Sequence, residues 1–593
     1  MPGLTFVEKV LGARQGTILF KKPDIVLTHD NTASIKNTFE KMGGQKVSDP
    51  DQLLVVLDHN APPTSSKVST QYQTIRDFVS EQGIKNFYDV GKGICHQVMS
   101  YHARPGMIIV GSDSHTCTAG AFNALAAGID RTESAGIWKR GETWFRVPES
   151  IKISLNGHLN RGVYAKDISL WIIGMIGSAG ANYNSIEFHG DAVKDLSIAE
   201  RMTLANLASE MGAKNAVFPP DNILADFLGE KNIEGVWADD DAFYIKEIDI
   251  NLDEIFPLVA APHHVDNVKS VSEVQGTKIQ QGLIGTCTNG RFEDIKIAAN
   301  ILNGKKVAPG FQLLVIPASQ KILLQAIEEG LVSKLIKAGA NVLAVSCGPC
   351  LGTGQGIPAD NTTVISTANR NFLGRMGNKN AEIYLASPAC VAQSALRGEI
   401  TDPRGIISDD RFPFKRKQSE TIVIPEGENR RIKGLWNYSD VNNLNTDQMF
   451  AGNLTYKVLS SDPDAIIPHL FKGFDDSFSE NVQPGDIIIA GDNFGCGSSR
   501  EHPAVGLARL KIKAVIVKSV NRIFYRSSIN QGLPIIVLPE LVEEYKTGDD
   551  IKVDLPRGVI KLNQREMGFA PLPDKLMEIL KARGLVNWIK NKL

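Results

Sequence analysis

Three cysteines lie in short glycine-containing turns, and each turn follows an apolar run. Cys287 stands alone in 284-IGTCTNGR-291, whereas two residues separate Cys347 from Cys350 in 346-SCGPCLGTGQG-356. Three thiolates are too few for a structural zinc site, which usually takes four ligands. On a cubane iron–sulfur cluster they would leave one iron without a protein ligand, and such an iron is a Lewis acid that can bind a hydroxyl and a carboxylate oxygen.

The Cys-x-x-Cys spacing is also typical of a redox pair or of half a zinc site. Two features favour the cluster. Both cysteine segments follow apolar runs, which predicts that they meet at one edge of a sheet. Both are rich in glycine, which lets the backbone approach a bulky inorganic centre and donate N–H groups to its sulfurs. We expect the other cysteines to be small buried apolar residues, namely Cys95, Cys117, Cys390 and Cys496.

Apolar runs of strand length precede several polar candidates, and helix-like stretches such as 318–339 lie between the runs. Alternating strands and helices indicate parallel α/β layers, in which ligand-binding residues lie at the carboxyl ends of strands. The sequence therefore predicts an α/β fold with its functional site at strand ends. The runs and the candidates after them are LLVVLD at 53–58 before His59, MIIVG at 107–111 before 112-SDSH-115, and VLAVS at 342–346 before Cys347.

Chain length and a change in composition indicate several domains. A chain of 593 residues is too long for one hydrophobic core, so we expect about three or four domains. Residues 401–420 are polar, charged and proline-containing, which is typical of a linker. We place the large region at 1–398, the linker at 399–430 and a smaller C-terminal domain at 431–593.

Composition excludes several classes of protein. The chain is 42% hydrophobic and 22% charged, as in ordinary globular proteins, and its net charge of -2 gives no electrostatic case for binding nucleic acid or an anionic membrane. No run approaches the ~20 apolar residues that span a bilayer. The N-terminal residues mix charged with apolar side chains, unlike a signal peptide. Seven scattered cysteines favour reduced thiols, so we expect a cytoplasmic protein.

Seven motifs in consistent order resemble those of the aconitase superfamily, the iron–sulfur hydro-lyases that include aconitase, homoaconitase and isopropylmalate isomerase. The resemblance covers nearly the whole chain. It implies a three-layer α/β/α large region of about three subdomains, with a swivelling α/β domain fused behind the linker. The motifs are 93-GICHQ-97, 111-GSDSHTCTAGAF-122, 284-IGTCTNGRFED-294, 346-SCGPCLG-352, 367-TANRNFLGRMG-377, 445-NTDQ-448 and 491-GDNFGCGSSREH-502.

The resemblance also implies roles for individual residues. It implies a 4Fe-4S cluster held by Cys287, Cys347 and Cys350, with one iron lacking a cysteine ligand. Ser498 matches the base that removes the carbon-bound proton, and His59, paired with Asp58, matches the acid that protonates the departing hydroxyl. Further catalytic matches are His96 with Asp113, His115 with Glu210, and Asp447 of the small domain. The implied substrate-binding residues are His29, Ser114, Asn206, Asn369, Arg370, Arg375, Ser499 and Arg500.

These residue types suit the dehydration of a hydroxy acid, which removes a proton from carbon and expels hydroxide. A protonated histidine improves the leaving group, and arginines stabilise the charge that builds up on the neighbouring carboxylate, with each such donor typically contributing ~3 kcal/mol. A serine is a weak base, but Ser498 precedes a predicted helix whose N-terminus favours an anion. Ser498-x-x-Glu501 also fits a plain capping box, with Pro503 in the first helical turn.

The substrate is predicted from His29 and from the loop 449–464. The isopropylmalate and homoaconitate branch tends to have His at the position of His29, whereas aconitases tend to have Gln. The loop contains no arginine for a third carboxylate; Leu454 would suit an alkyl group, and Lys457 could serve a carboxylate. We expect an enzyme like 3-isopropylmalate dehydratase, with a role in amino-acid biosynthesis.

Other substrates and classes stay open. Aconitase, homoaconitase and a methyl-substituted malate or citrate dehydratase are alternatives within the superfamily, and a cluster-free RNA-binding protein is a remote one. We expect a small-molecule partner, no nucleic acid, no membrane, and a monomer or small homo-oligomer. Other histidines are expected to be structural or exposed, namely His158, His263, His264 and His469.

Overall fold

A computed structural model describes residues 2–420, 424, 428–455 and 457–592. Its first sheet has five parallel strands with cores on both faces. Leu54 and Val56 enter one core, whereas Leu53 and Val55 of the same strand enter the other. This is the three-layer arrangement that the sequence predicts. In order across the sheet, the strands are Asn86–Tyr88, Leu53–Val56, Ile25–Thr28, Ile108–Gly111 and Leu125–Gly128.

A second sheet of seven strands carries the cysteine segments. Five adjacent strands are parallel, and Leu258–Ala260 pairs antiparallel both with the last of them and with the edge strand Val268–Ser270. The run VLAVS forms much less strand than predicted, because the edge strand ends at Val342 and the following residues form a loop. The strands are, in order, Val268–Ser270, Leu258–Ala260, Glu382–Ala386, Thr363–Ser366, Gln281–Ile284, Gln312–Val315 and Asn341–Val342.

Two smaller sheets complete the large region. Four parallel strands form one of them, in the order Asn215–Val217, Ser185–His189, Ser150–Asn156 and Lys246–Asn251. An antiparallel pair forms the other, from Ile18–Lys21 and Thr143–Arg146.

The C-terminal part has its own sheets. Four parallel strands and one antiparallel edge strand are ordered Arg431–Ile432, Leu435–Tyr438, Ile487–Ala490, Ala514–Val517 and Ile535–Val537. An antiparallel sheet follows, with strands Ile551–Asp554, Val559–Leu562 and Arg565–Gly568. This mixed α/β architecture with a separate C-terminal sheet agrees with the predicted fold class.

Helices connect these strands. The stretch 318–339 is two helices, because the chain turns at Gly330, whose φ of 70° lies in the left-handed region. The helices of the large region are Phe6–Leu11, Thr32–Lys41, Ser66–Gln82, Cys95–Met99, Arg131–Arg140, Ala165–Ile176, Ile198–Leu207, Asn222–Leu228, Val271–Val274, Thr286–Asn289, Phe292–Leu302, Gln320–Glu328, Leu331–Ala338 and Pro388–Ala395. Those of the C-terminal part are Thr446–Met449, Pro463–Ile466, Phe478–Asn481, His502–Arg509, Arg522–Gln531, Pro539–Glu544, Asp574–Lys581 and Leu585–Asn591. In the described part of the chain, none has the length and apolar character that crossing a membrane requires.

The two parts of the chain share packing. Phe412 and Phe414 of the predicted linker pack on Trp171 of the large region, with ring centroids 5.5 and 5.1 Å from it. Leu585 and Trp588, in the last helix, belong to the hydrophobic core of the five-stranded sheet. The predicted boundary at 431 therefore separates sheets but does not separate all of the packing.

Candidate active site

Most of the predicted site residues line a single cavity. These fourteen are His29, His59, His96, Asp113, His115, Cys287, Cys347, Cys350, Asn369, Arg370, Arg375, Ser498, Ser499 and Arg500. The other predicted residues contact members of this set, so the structure brings all of the predicted residues together. They are Asp58, Ser114, Asn206, Glu210 and Asp447.

Three neighbouring strands of the five-stranded sheet deliver the histidines and their carboxylates to one edge. His29 follows Ile25–Thr28, Asp58 and His59 follow Leu53–Val56, and Asp113 follows Ile108–Gly111. Because these strands are parallel, their carboxyl ends meet, and the rings of His29 and His59 stack with centroids 4.0 Å apart. The strand-end prediction is confirmed at this edge.

The seven-stranded sheet and the C-terminal sheet supply the remaining walls. Cys287 follows Gln281–Ile284, and Asn369 and Arg370 follow the adjacent parallel strand Thr363–Ser366. Gly285 must be small, since a Cβ there would lie 2.7 Å from the carbonyl oxygen of Ile316. The loop after the C-terminal strand Ile487–Ala490 contributes the serines and arginine of 498–500. Three sheets therefore meet at the cavity.

Polar N–H groups point at the sulfur atoms of the cysteines. The Nδ2 atoms of Asn206 and Asn369 lie 3.3 and 3.4 Å from Cys287 Sγ, and Arg375 Nη2 lies 3.8 Å from Cys350 Sγ. Burial raises the pKa of Cys287 to about 12, so this side chain becomes a thiolate near neutral pH only when a cation binds it. Cys347 is also buried, and burial raises its pKa. Three buried thiols, two of them with donors aimed at their sulfurs, fit a sulfur-ligated metal centre.

Each of three histidines is held by a carboxylate. His59 Nδ1 lies 2.6 Å from Asp58 Oδ1, His96 Nε2 lies 2.8 Å from Asp113 Oδ1, and His115 Nε2 lies 2.7 Å from Glu210 Oε1. Burial opposes ionisation of Asp113, but hydrogen bonds from His115, His59 and His96 together hold its pKa well below the ordinary value. Each carboxylate fixes the orientation of its histidine ring and places a negative charge next to that ring.

Two arginines of the cavity, Arg375 and Arg500, have donors without a partner among the described residues, and Arg370 and Arg500 form ion pairs. Arg370 donates from Nε to Glu210 Oε2 at 2.9 Å and from Nη2 to Ser114 Oγ at 3.1 Å. Arg500 pairs with Asp447. Within the described residues, Nε and Nη1 of both Arg375 and Arg500 are buried and donate to no partner atom. Buried guanidinium donors of this kind bind a carboxylate strongly.

Ser498 does not cap the following helix, so the capping-box interpretation is wrong. The helix begins at His502 with Glu501 as its N-cap residue, and no side-chain cap hydrogen bond forms. Glu501 instead accepts hydrogen bonds from the backbone N and Oγ1 of Thr132, at 3.0 and 2.8 Å. The amide of Ser498 donates to Thr446 Oγ1 at 3.0 Å, which positions the turn so that Ser498 lines the cavity.

Sequence reasoning missed several residues of the cavity wall. A positional signal was available for one of them, because Arg131 comes soon after the parallel strand Leu125–Gly128 and so lies at a strand end. The missed residues are Asn31, Ile94, Arg131, Thr286, Leu351 and Thr455.

Comparison with models of known families shows which family the chain belongs to. The model of the aconitase family (aconitate hydratase) matches residues 6–398, and that of the aconitase C-terminal domain matches residues 436–540. The chain belongs to the aconitase family. It is therefore a hydro-lyase of the dehydratase and isomerase type, as the motifs predict, and family membership implies a 4Fe-4S cluster.

Two relatives are named as large subunits, and each is matched along 99% of its length. The probable methanogen homoaconitase large subunit of Methanosarcina mazei is 49% identical over 389 residues, which are 65% of this chain and 99% of the relative. The 3-isopropylmalate dehydratase large subunit 1 of Methanopyrus kandleri is 44% identical over 414 residues, 68% of this chain and 99% of the relative.

Two solved structures are also similar to parts of the chain. Aconitase X of Thermococcus kodakaraensis in its holo form is 12% identical with a TM-score of 0.37, covering 62% of this chain and 89% of that one. The 3-isopropylmalate dehydratase structure from Methanocaldococcus jannaschii is 37% identical with a TM-score of 0.24, covering 26% of this chain and 89% of that one.

Proposed function

We propose that this aconitase-family chain dehydrates and rehydrates a small 2-hydroxy di- or tricarboxylic acid, with a cluster ligated by Cys287, Cys347 and Cys350. One observation carries the proposal. The three buried cysteines share a cavity with histidines held by carboxylates and with two buried arginines, some of whose donors have no partner in the described part of the chain. A metal centre, an acid and anion-binding groups are the components that such a reaction needs.

The cysteines would hold the cluster, which supplies a Lewis-acidic iron for the substrate hydroxyl and a carboxylate oxygen when it is bound. Asn206 and Asn369 donate hydrogen bonds to Cys287 Sγ and so stabilise the thiolate form. Arg375 contributes a positive charge beside Cys350. These three side chains hold the sulfurs in place and balance their charge.

His59 is the proposed acid. Its Nδ1 is bonded to Asp58, whose negative charge favours the imidazolium form, and its Nε2 lies 3.5 Å from Asp113 Oδ2 at the cavity wall. Burial opposes ionisation of Asp58, but the adjacent His59 holds its pKa below the ordinary value. Asp58 therefore stays a carboxylate, and the proton on His59 Nε2 is available to the departing hydroxyl.

Ser498 is the proposed base. Ser498 lines the cavity next to Arg500, whose positive charge stabilises an alkoxide and the negative charge that develops on the substrate carboxylate. Arg370 and Arg375 bind the carboxylates of the substrate with their guanidinium donors, and Glu210 and Ser114 orient Arg370. Substrate, acid and base are thus held together in one cavity, out of bulk water.

We propose that residues 431–593 take the place of a separate small subunit. The relatives named large subunits would need such a subunit as a second chain, whereas here it is part of the same chain. Those relatives are matched along 99% of their length by about two thirds of this chain. The match to the aconitase C-terminal domain lies in the remaining third. Ser498 and Arg500 of the cavity come from this part.

Replacement of Ser498 by Ala tests the proposal. Loss of a base lowers turnover by about 10²–10⁴-fold, while the absorbance of the reconstituted cluster stays that of wild type, because Ser498 is not a ligand. Ser439→Ala, a serine of the same C-terminal part outside the cavity, is the matched control and keeps wild-type turnover. Near-normal turnover of Ser498→Ala would remove Ser498 from the proposed role.

A further inference from the structure

We propose that Lys166 is a positioning residue for the metal centre, which holds the segment 367–370 against the cysteines and places a positive charge near them. The inference rests on the proposed function, because it takes the cysteines as cluster ligands. Lys166 lies outside the seven motifs, in the first turn of the helix Ala165–Ile176. It is fully buried but is not part of the cavity wall, so it does not contact a substrate there.

The ammonium group of Lys166 is bonded to the backbone just before two residues of the site. Its Nζ donates to the carbonyl oxygen of Thr367 at 3.1 Å and to that of Ala368 at 2.6 Å. The next residues along the chain are Asn369 and Arg370, which both line the cavity. Because a buried charged donor is costly without acceptors, these two hydrogen bonds fix the ammonium and the segment to each other.

Asn369 contacts two of the cysteines from this segment. Its Nδ2 lies 3.4 Å from Cys287 Sγ, and its Oδ1 lies 3.7 Å from Cys350 Sγ. One side chain reaches both sulfurs only while the backbone of the segment stays in place. Since Lys166 binds that backbone, its loss should loosen the contacts of Asn369 with the sulfurs.

The helical turn that carries Lys166 is itself anchored to the sheet of the cysteine segments. Asp167 accepts hydrogen bonds from the backbone N of Tyr164 at 2.9 Å and from that of Leu258 at 2.8 Å. Leu258 begins a strand of the seven-stranded sheet. Lys166 therefore approaches the segment 367–370 from a fixed position.

Negative charges of the site act on Lys166. Burial lowers the pKa of Lys166 to about 7. Nearby charges oppose this shift, of which that of Cys287 is the largest and those of Glu210 and Cys350 follow. Because a bound cluster keeps the cysteines deprotonated, the same charges then keep the ammonium protonated. Lys166 thus offsets part of the thiolate charge, as Arg375 does beside Cys350.

The reduction potential of the anaerobically reconstituted cluster tests this. Reduction adds an electron to the cluster, and a positive charge nearby stabilises the reduced form. At the wild-type midpoint, Lys166→Met should therefore raise the ratio of oxidised to reduced cluster about tenfold, which is a potential about 59 mV more negative. Lys166→Gln, which keeps a donor without the charge, should show the same shift. Lys166→Arg, which keeps the charge, should stay near wild type.

A buried lysine elsewhere in the large region provides the matched control. Lys214 is also buried, but the largest charges acting on it are those of Arg526 and Arg522 rather than those of the cysteines. Lys214→Met should therefore keep the wild-type potential.

Release of iron to a chelator is a second readout, which reports on the hydrogen bonds of Lys166. Lys166→Met should release iron about 10-fold faster than wild type. Lys166→Gln should release it more slowly than Lys166→Met, because only glutamine can still donate to a carbonyl of the segment.

A wild-type potential in Lys166→Met or in Lys166→Gln would overturn the inference, and either variant decides it if the other folds poorly. A shift in Lys166→Arg or Lys214→Met as large as that in Lys166→Met would overturn it as well, because the cause would then be altered packing. In each case the proposed function would still stand, since wild type would bind its cluster. Absence of iron and sulfide from reconstituted wild type would instead overturn the proposed function.

Discussion

Replacing Glu210 with Gln should destabilise the chain and impair turnover without removing a cysteine ligand. Glu210 is buried and bridges two side chains of the site, with Oε1 2.7 Å from His115 Nε2 and Oε2 2.9 Å from Arg370 Nε. Gln preserves the shape of the side chain but removes its charge. Arg370 then loses its counter-charge and the group that orients it toward the substrate, and His115 loses one of its two neighbouring carboxylates.

The size of the effect follows from the pKa of Glu210. Burial raises this pKa, but Arg370 and His115 more than compensate and lower it from 4.5 to about 2, which corresponds to about 3 kcal/mol of stability at neutral pH. Because the pKa is depressed in the folded chain, this contribution is present above pH 4.5 and is lost as the pH falls toward 2. The difference between wild type and variant should therefore stay constant from weakly alkaline to weakly acidic pH.

The assay is the thermal midpoint of the cluster-free chain at several pH values, with kcat/KM of the reconstituted enzyme as a second readout. Glu566→Gln, at an exposed ion pair with Lys561, is the matched control and should behave as wild type. We expect Glu210→Gln to lower the midpoint by about 2–4 °C and kcat/KM by about 10²-fold. An unchanged midpoint, or a difference that changes between about pH 8 and pH 6, would refute the reasoning.

Three further predictions follow from the buried charges and the cysteines. Burial, together with the nearby charges of Glu501 and Glu133, raises the pKa of Asp130 to about 8, so the contribution of Asp130 to stability is lost as the pH rises from 3.8 toward 8. Asp130→Asn should therefore raise the thermal midpoint more at pH 8 than at lower pH. A pH-independent effect of this variant would contradict the prediction. Arg526→Met leaves Glu133 buried without its partner and should cost about 3–5 kcal/mol, seen as a lower midpoint, whereas Arg509→Met at an exposed pair should change little. Cys350→Ser should abolish the cluster absorbance, and a fully loaded variant would exclude Cys350 as a ligand.

Strand-end reasoning predicts much of the site because parallel strands bring their carboxyl ends to one edge. His59, Asp113 and Cys287 each follow a short apolar run, and all three line the cavity. The local sequence is enough to predict their position at the site, because it shows a strand followed by polar residues in a turn. The role of each side chain, in contrast, came from the resemblance to a family and stays a prediction.

Contacts between distant parts of the chain account for what the sequence could not predict. Glu501 is in a capping-box pattern, yet its carboxylate bonds to Thr132, which is far away in sequence. In the sequence, Arg131 cannot be distinguished from other isolated arginines, and only the fold shows that it lies beside Ser460. Local patterns contain no information about either pairing, because each depends on how the C-terminal part docks on the large region.

Local sequence patterns also failed to predict where some strands and helices end. The run VLAVS is apolar enough for a full strand, but Asn341–Val342 is the edge of its sheet and has a partner on one side only. The pattern at 318–339 is apolar at helical spacing throughout, and the break at Gly330 depends on one residue with left-handed backbone geometry. In both cases the sheet or turn geometry decides where the element ends.

Anaerobic reconstitution of the full chain, followed by iron and sulfide analysis and by alkene absorbance with hydroxy-acid substrates, tests the central claim most directly. The account predicts iron and sulfide bound in equal amounts, together with absorbance that rises as a di- or tricarboxylic hydroxy acid is dehydrated. Zinc bound without sulfide, and no alkene formed from any substrate, would contradict it.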